Sequence, residues 1–186
     1  PEGEGGIAAI IGLEEDDLNK VCLEINQDKK YLVNIANLNS QNQIVISGNK
    51  QGIEKAIDKC KSLGAKRVIS LPMSVPAHSL LMKDVANKFV STIENIEFNM
   101  PKIPVIHNVD SSIENDIAKI KVKLVRQIYS SVRWVDTIET MTNLKVTTII
   151  ECGPGKVLSN LIKRISPSVA TIDLDTYDNY LELSNE

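Results

Sequence analysis

The hydrophobic spacing of the first 71 residues alternates between that of strands and that of helices, and this alternation restricts the possible folds most. In the stretch 14–27 the apolar residues recur at i, i+3, i+4 and i+7, the spacing of an amphipathic helix. Short β-branched runs and turn residues flank it. The predicted order is strand 7–13, helix 14–27, strand 31–36, strand 43–47, a helix between Asn49 and Gly64, and strand 67–71.

This βαββαβ order is that of the ferredoxin-like fold, so we predict a small ferredoxin-like subdomain at 1–71. After Pro72, strands and helices alternate singly, which is typical of a mostly parallel α/β layer. We therefore predict a mostly parallel α/β layer for 72–186. Its predicted elements are helices over 76–95, 113–128, 132–144 and 156–165 and strands over 104–109, 146–151 and 169–174.

Composition excludes several classes of function. The chain has 186 residues and a net charge of −3, and its lysines are scattered among acids, so it lacks the basic surface that nucleic-acid binding requires. No run approaches the ~20 apolar residues of a membrane span, and no signal peptide is visible. We expect neither nucleic-acid nor membrane binding.

The three cysteines are odd in number and lie far apart without histidines at metal-ligand spacing. They predict no metal site and a reducing compartment, which is the cytoplasm or an organelle matrix such as that of a plastid. We expect Cys22 and Cys60 to fill small apolar positions, whereas Cys152, beside a glycine turn, stays open as a reactive thiol.

The stretch 71–79 holds His78, one of two histidines, where prolines lead into an apolar helical pattern. In the first turn of a helix, a histidine is suited to act as a catalytic base. For a histidine considered alone, a partly buried, hydrogen-bonded structural residue is the commoner explanation. His78 lies three residues before Leu81, on the inward face of the predicted helix.

Gln127 lies in the last turn of the predicted helix 113–128, where the carbonyls have no intrahelical partner and carry partial negative charge. One of these carbonyls can accept the Nδ1 proton of His78, fix its tautomer and favour the imidazolium. The alternative for Gln127 is an ordinary amide on the shoulder of an amphipathic helix.

The sequence offers no nucleophile for such a base, because G-x-S-x-G does not occur. The turn 153–156 joins a strand to a helix, where amides can bind phosphate, but it lacks the spacing of a phosphate-binding loop and we interpret it as structural. The chain begins with Pro1 and enters an apolar run directly. We expect it to come from the interior of a longer protein.

Six sequence blocks carry a resemblance to a known family. They are PEGxGxIAAIIGL at 1–13, NxNSxxQxVISG at 37–48, GAKRxxxLPxSxPxHSxLM at 64–82, PVxxNVD at 104–110, LVRQIYxxVRW at 124–134 and IECGPGKVLxxLIKRI at 150–165. In content and order they resemble the C-terminal two thirds of the malonyl-CoA:acyl-carrier-protein transacylases. That family is similar to the acyltransferase domains of polyketide synthases.

The resemblance implies an α/β fold in which a ferredoxin-like βαββαβ subdomain is inserted in an α/β-hydrolase-like acyltransferase domain, with only the C-terminal part present. It implies transfer of a malonyl group from coenzyme A to the phosphopantetheine thiol of acyl carrier protein in fatty-acid synthesis. The mechanism would be ping-pong, through a serine acyl-enzyme. The implied partners are malonyl-CoA and acyl carrier protein, with no metal or cofactor, and we expect a monomer.

Four residues match functional positions of that family. His78 matches the general base, and Gln127 matches the residue whose backbone carbonyl orients it. Asn37 and Asn39 match asparagines near the substrate or carrier-protein cleft, and we predict that they bind substrate. The family's nucleophilic serine, oxyanion-hole loop and carboxylate-binding arginine would lie upstream of Pro1.

Two departures from the family pattern bear on function. Gln41-Asn42 stands where the family often has Pro-Gly, and Ala77 stands where a phenylalanine or serine commonly precedes the histidine, which bears on extender-unit selectivity. The alternatives are an incomplete, inactive fragment that at most docks acyl carrier protein, a polyketide-type acyltransferase with another extender unit, and a patatin- or lipase-type hydrolase. The LPxSxPxHS and GPGKVL blocks argue against the hydrolase.

Overall fold

A computed structural model describes residues 3, 5–73 and 75–184 of the chain. Residues 1, 2, 4 and 74, which two of the family blocks include, lie outside the described residues, as do 185 and 186. The chain divides into two compact units, 1–134 and 135–186. Among the described residues, no helix combines the length and apolar character needed to cross a membrane.

The first unit contains a four-stranded antiparallel sheet in the order β2–β3–β1–β4. Its elements are β1 Gly5–Ile11, α1 Glu15–Ile25, β2 Val33–Ser40, β3 Gln43–Asn49, α2 Lys50–Ser62 and β4 Arg67–Leu71. The predicted βαββαβ order and its ferredoxin-like sheet are therefore confirmed. The connection between the predicted strands 31–36 and 43–47 is shorter than expected, because β2 continues through two bulges to Ser40. The subdomain boundary after residue 71 stays a prediction.

One face of this sheet packs against α2. A Cβ atom at Gly6 would lie 3.4 Å from Ile53 of α2. Because side chains alternate between faces along a strand, Ala8 and Ile10 point the same way as Gly6, and both are fully buried. This face forms the main core of the subdomain.

The opposite face carries a second apolar cluster, which we call the far-face cluster. Its members are Ile7, Ala9, Ala36 and Val45. Leu71 and Ala77 pack against it, so the chain that leaves β4 returns across this face. Since Ala77 immediately precedes His78, the far face supports the histidine segment.

The remainder of the first unit differs from the sequence prediction in its first helix. A 3₁₀-helix at Leu80–Met82 leads into α3, which spans Lys83–Glu94, so the helix predicted from residue 76 was wrong in its start. His78 has a φ of 60°, a left-handed conformation that a right-handed helix does not contain. His78 therefore lies in a loop before the helix and not in its first turn.

The core strand predicted over 104–109 was also wrong. Only β5, Ile106–His107, is extended, and it pairs antiparallel with β6, Ser112–Ile113, in a short hairpin. The helix predicted from 113 begins later as α4, Ile117–Gln127. Asp116 caps it by accepting hydrogen bonds from the Ala118 and Lys119 amides.

The second unit follows its predicted order through its last strand, while its last helix was not predicted. Its elements are α5 Trp134–Asn143, which starts at the boundary, β7 Thr148–Glu151, α6 Val157–Ile165, β8 Ala170–Asp173 and α7 Tyr177–Ser184. β7 and β8 pair in parallel, with Thr148 opposite Ala170 and Glu151 opposite Asp173. The parallel α/β arrangement predicted for the region after Pro72 is thus present in this unit.

Candidate active site

His78 is held by the end of helix α4 through both its backbone and its side chain. Its amide donates a hydrogen bond to the carbonyl of Ile128 at 3.2 Å. Its Nδ1 lies 2.9 Å from the carbonyl oxygen of Gln127. Because a carbonyl can only accept, Nδ1 carries the proton in the neutral imidazole and Nε2 keeps a lone pair. The half-buried ring therefore presents Nε2 as its basic nitrogen.

The carbonyls that hold His78 are available because α4 ends there. Gln127 is the last residue of the helix, and the final carbonyls of a helix have no intrahelical partner. The chain then tightens, since the amides of Ile128 and Tyr129 bond three residues back, at 3.3 and 3.1 Å. The helix C-terminus also directs its partial negative charge toward this position. The structure places His78 and Gln127 in contact, while their catalytic role stays a prediction.

The loop around His78 has two further anchors, which the sequence analysis missed. The hydroxyl of Ser79, which is fully buried, donates to the carbonyl of Pro76 at 2.8 Å. The amide of Leu80 donates to Oδ1 of Asn34 on β2 at 3.3 Å. The second bond follows from no local pattern, because it joins residues that are distant in the sequence.

Asn37 lies on the side of the sheet that supports His78. In the register of β2 and β3 it pairs with Val45, a member of the far-face cluster. Directly opposed residues share a face of the sheet, so Asn37 lies on the face against which Ala77 packs. Its backbone also bridges to Val132, just after α4.

Asn39 occupies the second bulge of β2, between Leu38 and Ser40. Within the described part of the chain, its side chain makes no hydrogen bond to His78. The register thus places Asn37 opposite Val45 on the far face, whereas it pairs Asn39 with no residue of β3. A substrate-binding role for either asparagine stays a prediction.

A buried lysine one turn before Gln127 ties α4 to the β5–β6 hairpin. The Lys123 side chain is only 9% exposed, and its Nζ lies 3.2 Å from Oδ2 of Asp110 and 3.6 Å from Oε2 of Glu114. It also donates to the Ser112 hydroxyl at 2.5 Å. Such a paired, hydrogen-bonded ammonium is the form in which a buried charge is tolerated. The hairpin therefore fixes the position of the helix that ends at Gln127.

The second histidine belongs to this ion-pair cluster. His107 lies in β5 and is 9% exposed. Burial, followed by the positive charge of Lys123, lowers its pKa. Burial raises the pKa of Asp110, but bonds from Ser112 and Lys123 outweigh it and hold that pKa below its ordinary value. His107 is therefore placed as a buried neutral residue beside a salt bridge.

In the second unit, carboxylates of the chain occupy the turn at 153–156. Glu151 accepts hydrogen bonds from the amides of Leu158 and Ser159, at 2.9 and 2.7 Å. Asp175 accepts from the amide of Gly155 at 2.6 Å. These acids take the positions that an anion would need, which supports the structural interpretation of the turn.

The thiols and the acidic groups give no sign of a metal centre. Cys22 and Cys60 are buried, and burial raises their pKa to about 12 and about 11. Cys152 is exposed, and a role for its thiol stays open. Among the described residues, no group of three or more His, Cys, Asp and Glu side chains is placed to hold a metal ion.

Relatives with curated names share more than two fifths of the sequence. The malonyl CoA-acyl carrier protein transacylase of Salmonella typhimurium is 44% identical over 165 residues, which are 89% of this chain and 53% of the relative. The protein of the same name from Staphylococcus aureus is 41% identical over 96% of this chain and 58% of its own length. The chain thus spans about half the length of the curated relatives it matches. No protein-family model matches it.

Solved structures show the same relation. An acyl carrier protein S-malonyltransferase from Vibrio cholerae superimposes with a TM-score of 0.94 at 43% identity, covering 98% of this chain and 59% of its own. A malonyl-transacylase in complex with a type II PKS acyl-carrier protein gives 0.94 at 42%, covering all of this chain and 60% of its own. The α/β fold and the resemblance inferred from the six blocks are therefore confirmed.

Proposed function

We propose that this chain, a homologue of the malonyl CoA-acyl carrier protein transacylases, is the part of such an enzyme that carries its general base. In the full-length protein, His78 would serve a serine supplied by sequence outside this chain. The observation that carries the proposal is the 2.9 Å contact between Nδ1 of His78 and the Gln127 carbonyl. That contact leaves Nε2 able to accept a proton.

The proposed reaction has two halves that share this base. In the first, Nε2 takes the proton of the serine hydroxyl as the oxygen attacks the thioester carbon of malonyl-CoA. The tetrahedral intermediate collapses, the C–S bond breaks, and the imidazolium returns the proton to the departing coenzyme A thiolate. A malonyl-serine ester remains, and His78 is neutral again.

In the second half, the phosphopantetheine thiol of an acyl carrier protein replaces coenzyme A. Nε2 takes the thiol proton, the sulfur attacks the ester, and the serine oxygen leaves with the proton from the imidazolium. While the ring is charged, the Gln127 carbonyl and the C-terminal end of α4 stabilise it. Each proton is returned within its half-reaction, so the scheme requires no metal or cofactor.

The remaining parts of the proposal rest on the same homology with the transacylases. Residues 1–71 form the small subdomain and 72–186 part of the large one, in a monomer of the cytoplasm or an organelle matrix. Asn37 and Asn39 would contact malonyl-CoA or the carrier protein. The position of Asn37 opposite Val45, on the face against which Ala77 packs, favours it as the more important of the two.

The test is malonyl transfer by the full-length protein, with labelled malonyl-CoA and a purified acyl carrier protein. His78→Ala should lower the rate by at least about 10³-fold, because it removes the proposed proton acceptor of both half-reactions. His107→Asn, which removes the other histidine of this chain, should change it by less than about threefold in a protein of unchanged circular dichroism. Near-normal transfer by His78→Ala would contradict the proposal.

The 186-residue chain alone should form no covalent malonyl adduct, because the nucleophile is not in it. An adduct found by mass spectrometry would refute that assignment. A type II PKS acyl-carrier protein is a second candidate acceptor, since a solved malonyl-transacylase bound to one matches this whole chain. Comparing rates with carrier proteins of the two kinds decides between them.

A further inference from the structure

The side chain of Gln127 has a bonding pattern that its carbonyl role does not explain. Every amino acid has a backbone carbonyl, so the contact with His78 does not by itself require a glutamine at position 127. The Gln127 amide nitrogen Nε2 donates to the carbonyl of Ser130 at 3.1 Å and to that of Ser131 at 3.4 Å. The side chain thus folds over the end of its own helix and closes the loop that follows.

The same loop is fastened to the sheet. The hydroxyl of Ser131 donates to the carbonyl of Ile35 in β2 at 2.5 Å. One residue later, the Val132 amide donates to the Ala36 carbonyl at 2.8 Å, and the Val132 carbonyl accepts from the amide of Leu38 at 2.9 Å. Three consecutive bonds therefore join the segment after α4 to the strand whose far face supports the histidine loop.

We infer that the Gln127 side-chain amide and the Ser131 hydroxyl are positioning groups for the base. Together they hold the segment 128–132 between the end of α4 and β2, and so keep the carbonyls of Gln127 and Ile128 directed at His78. The inference rests on the proposed function, in which His78 is that base. Neither side chain touches the reacting atoms.

The consequence of losing these bonds is a change of tautomer. With the Gln127 carbonyl in place, the proton of the neutral imidazole stays on Nδ1, and Nε2 is free. If the loop relaxes and the carbonyl moves away, the proton can reside on Nε2, and that form of the ring cannot accept a proton from serine or thiol. The rate of malonyl transfer then falls, because fewer molecules hold the proton on Nδ1 and the ring is less well oriented. The binding of malonyl-CoA is unaffected.

The variants separate this role from a general structural one. In the full-length protein, Gln127→Met keeps the length of the side chain and the backbone carbonyl but removes the amide donor. Ser131→Ala removes the hydroxyl, and Ser131→Thr retains it. Ser91→Ala is the matched control, since the Ser91 hydroxyl makes the same kind of bond, to the Lys88 carbonyl at 2.9 Å, in α3.

We expect Gln127→Met and Ser131→Ala to lower kcat for malonyl transfer by roughly 10- to 100-fold, with KM for malonyl-CoA changed less than about twofold. Ser131→Thr should restore kcat to within about threefold of the wild type, and Ser91→Ala should leave it unchanged. If Gln127→Met does not fold, Ser131→Ala decides the question by the same measurements. A wild-type kcat in both Gln127→Met and Ser131→Ala would overturn the inference.

A second readout does not depend on activity. Nitrogen-15 NMR of histidine-labelled full-length protein, with His78→Gln for assignment, reports which ring nitrogen carries the proton. We expect the Nδ1–H form in the wild type and in Ser131→Thr, and a mixture of forms in Gln127→Met and Ser131→Ala. A pure Nδ1–H form in variants that have lost rate would overturn the positioning role. If the wild type transfers no malonyl group, the proposed function fails, and the NMR result still decides whether the two side chains fix the tautomer.

Discussion

The four-stranded sheet of the first unit and the two-stranded sheet of the second differ in how far each covers its own apolar surface. In the first, β1 and β3 have partners on both edges, α2 covers one face, and Leu71 and Ala77 pack on the other. In the second, β7 and β8 pair, within the described residues, only with each other. Ile150 of β7 is 42% exposed and Val157 of α6 is 68% exposed.

The difference shows which unit buries its apolar surface with its own residues. Parallel strands normally have both faces covered, whereas an antiparallel sheet needs only one buried face. The second unit leaves an isoleucine of its parallel strands and a valine of the neighbouring helix exposed, so within the described residues it covers its own apolar surface less completely. The chain spans a little more than half of its curated relatives.

The largest expected effect comes from a backbone contact inside the first sheet. A Cβ atom at Gly48 of β3 would overlap the carbonyl oxygen of Leu32. Gly48→Ala should therefore lower the free energy of unfolding by at least about 3 kcal/mol, because neither backbone can move without breaking the sheet. Gly155→Ala in the second unit is the control. Its φ is 85° and nothing lies within 4 Å of the added atom, so we expect a loss of about 1 kcal/mol.

Both losses are measured by urea denaturation followed by circular dichroism. Equal losses for the two glycines would contradict the comparison, since they would show that close packing around the first sheet adds nothing to the backbone cost.

The next prediction tests whether the far face of the first sheet serves His78. A Cβ atom at Gly5 would overlap the ring of Pro76, two residues before the histidine. Gly5→Ala in the full-length protein should displace that loop and reduce malonyl transfer by roughly 10-fold. Gly6→Ala places its methyl group on the helix face, 3.4 Å from Ile53, and should alter stability while leaving the rate unchanged. An equal loss of rate in both variants would mean that the far face has no special relation to the site.

The smallest effect is expected in the second unit, at Glu151. Burial raises the pKa of its carboxyl, but hydrogen bonds from the amides of Ser159 and Leu158 outweigh this and hold the pKa below its ordinary value. A lowered pKa stabilises the fold above the ordinary pKa of a carboxyl, and this contribution disappears as the pH falls through the lower, folded-state value. At pH 7, Glu151→Gln should therefore be less stable than the wild type by about 1 kcal/mol.

The measurement is urea denaturation of both proteins between pH 7 and pH 3, where the two curves should converge at the acid end. Glu139→Gln, on the exposed side of α5, should differ from the wild type by less than about 0.5 kcal/mol at pH 7. A constant difference between wild type and Glu151→Gln across the whole range would contradict the role given to the charged carboxylate.

The first sheet could be predicted from the sequence because its signals are local. Each strand and helix of residues 5–71 carries its own periodicity, and Gly64 ends α2 with a φ of 90°. The errors lie where a distant contact overrides a local pattern. Residues 76–95 have the spacing of one helix, but carbonyls almost 50 residues later hold His78 in a left-handed conformation.

The site was predictable in part for the same reason. A helix end has free carbonyls wherever it occurs, so the contact between Gln127 and His78 follows from the helix boundary together with the family resemblance. Asn34, Ser79 and Ser131 gave no signal, because each acts through a single bond to the backbone that exists only after folding. Asn37 and Asn39 gave the same signal as two asparagines on one strand, and the bulges that leave only Asn37 paired with β3 could not be predicted from the sequence.

The atom that faces Nδ1 of His78 is a main-chain oxygen, and this limits how point mutations can affect it. No codon change deletes a carbonyl, so a point mutation cannot remove this partner as it could remove an aspartate. Substitutions can displace this carbonyl only indirectly, by changing the side chains and glycines that hold the backbone in place. The substitutions that disturb this contact are therefore spread over several positions, and in a genetic screen each should cause a partial loss of activity, smaller than the loss caused by replacing His78 itself.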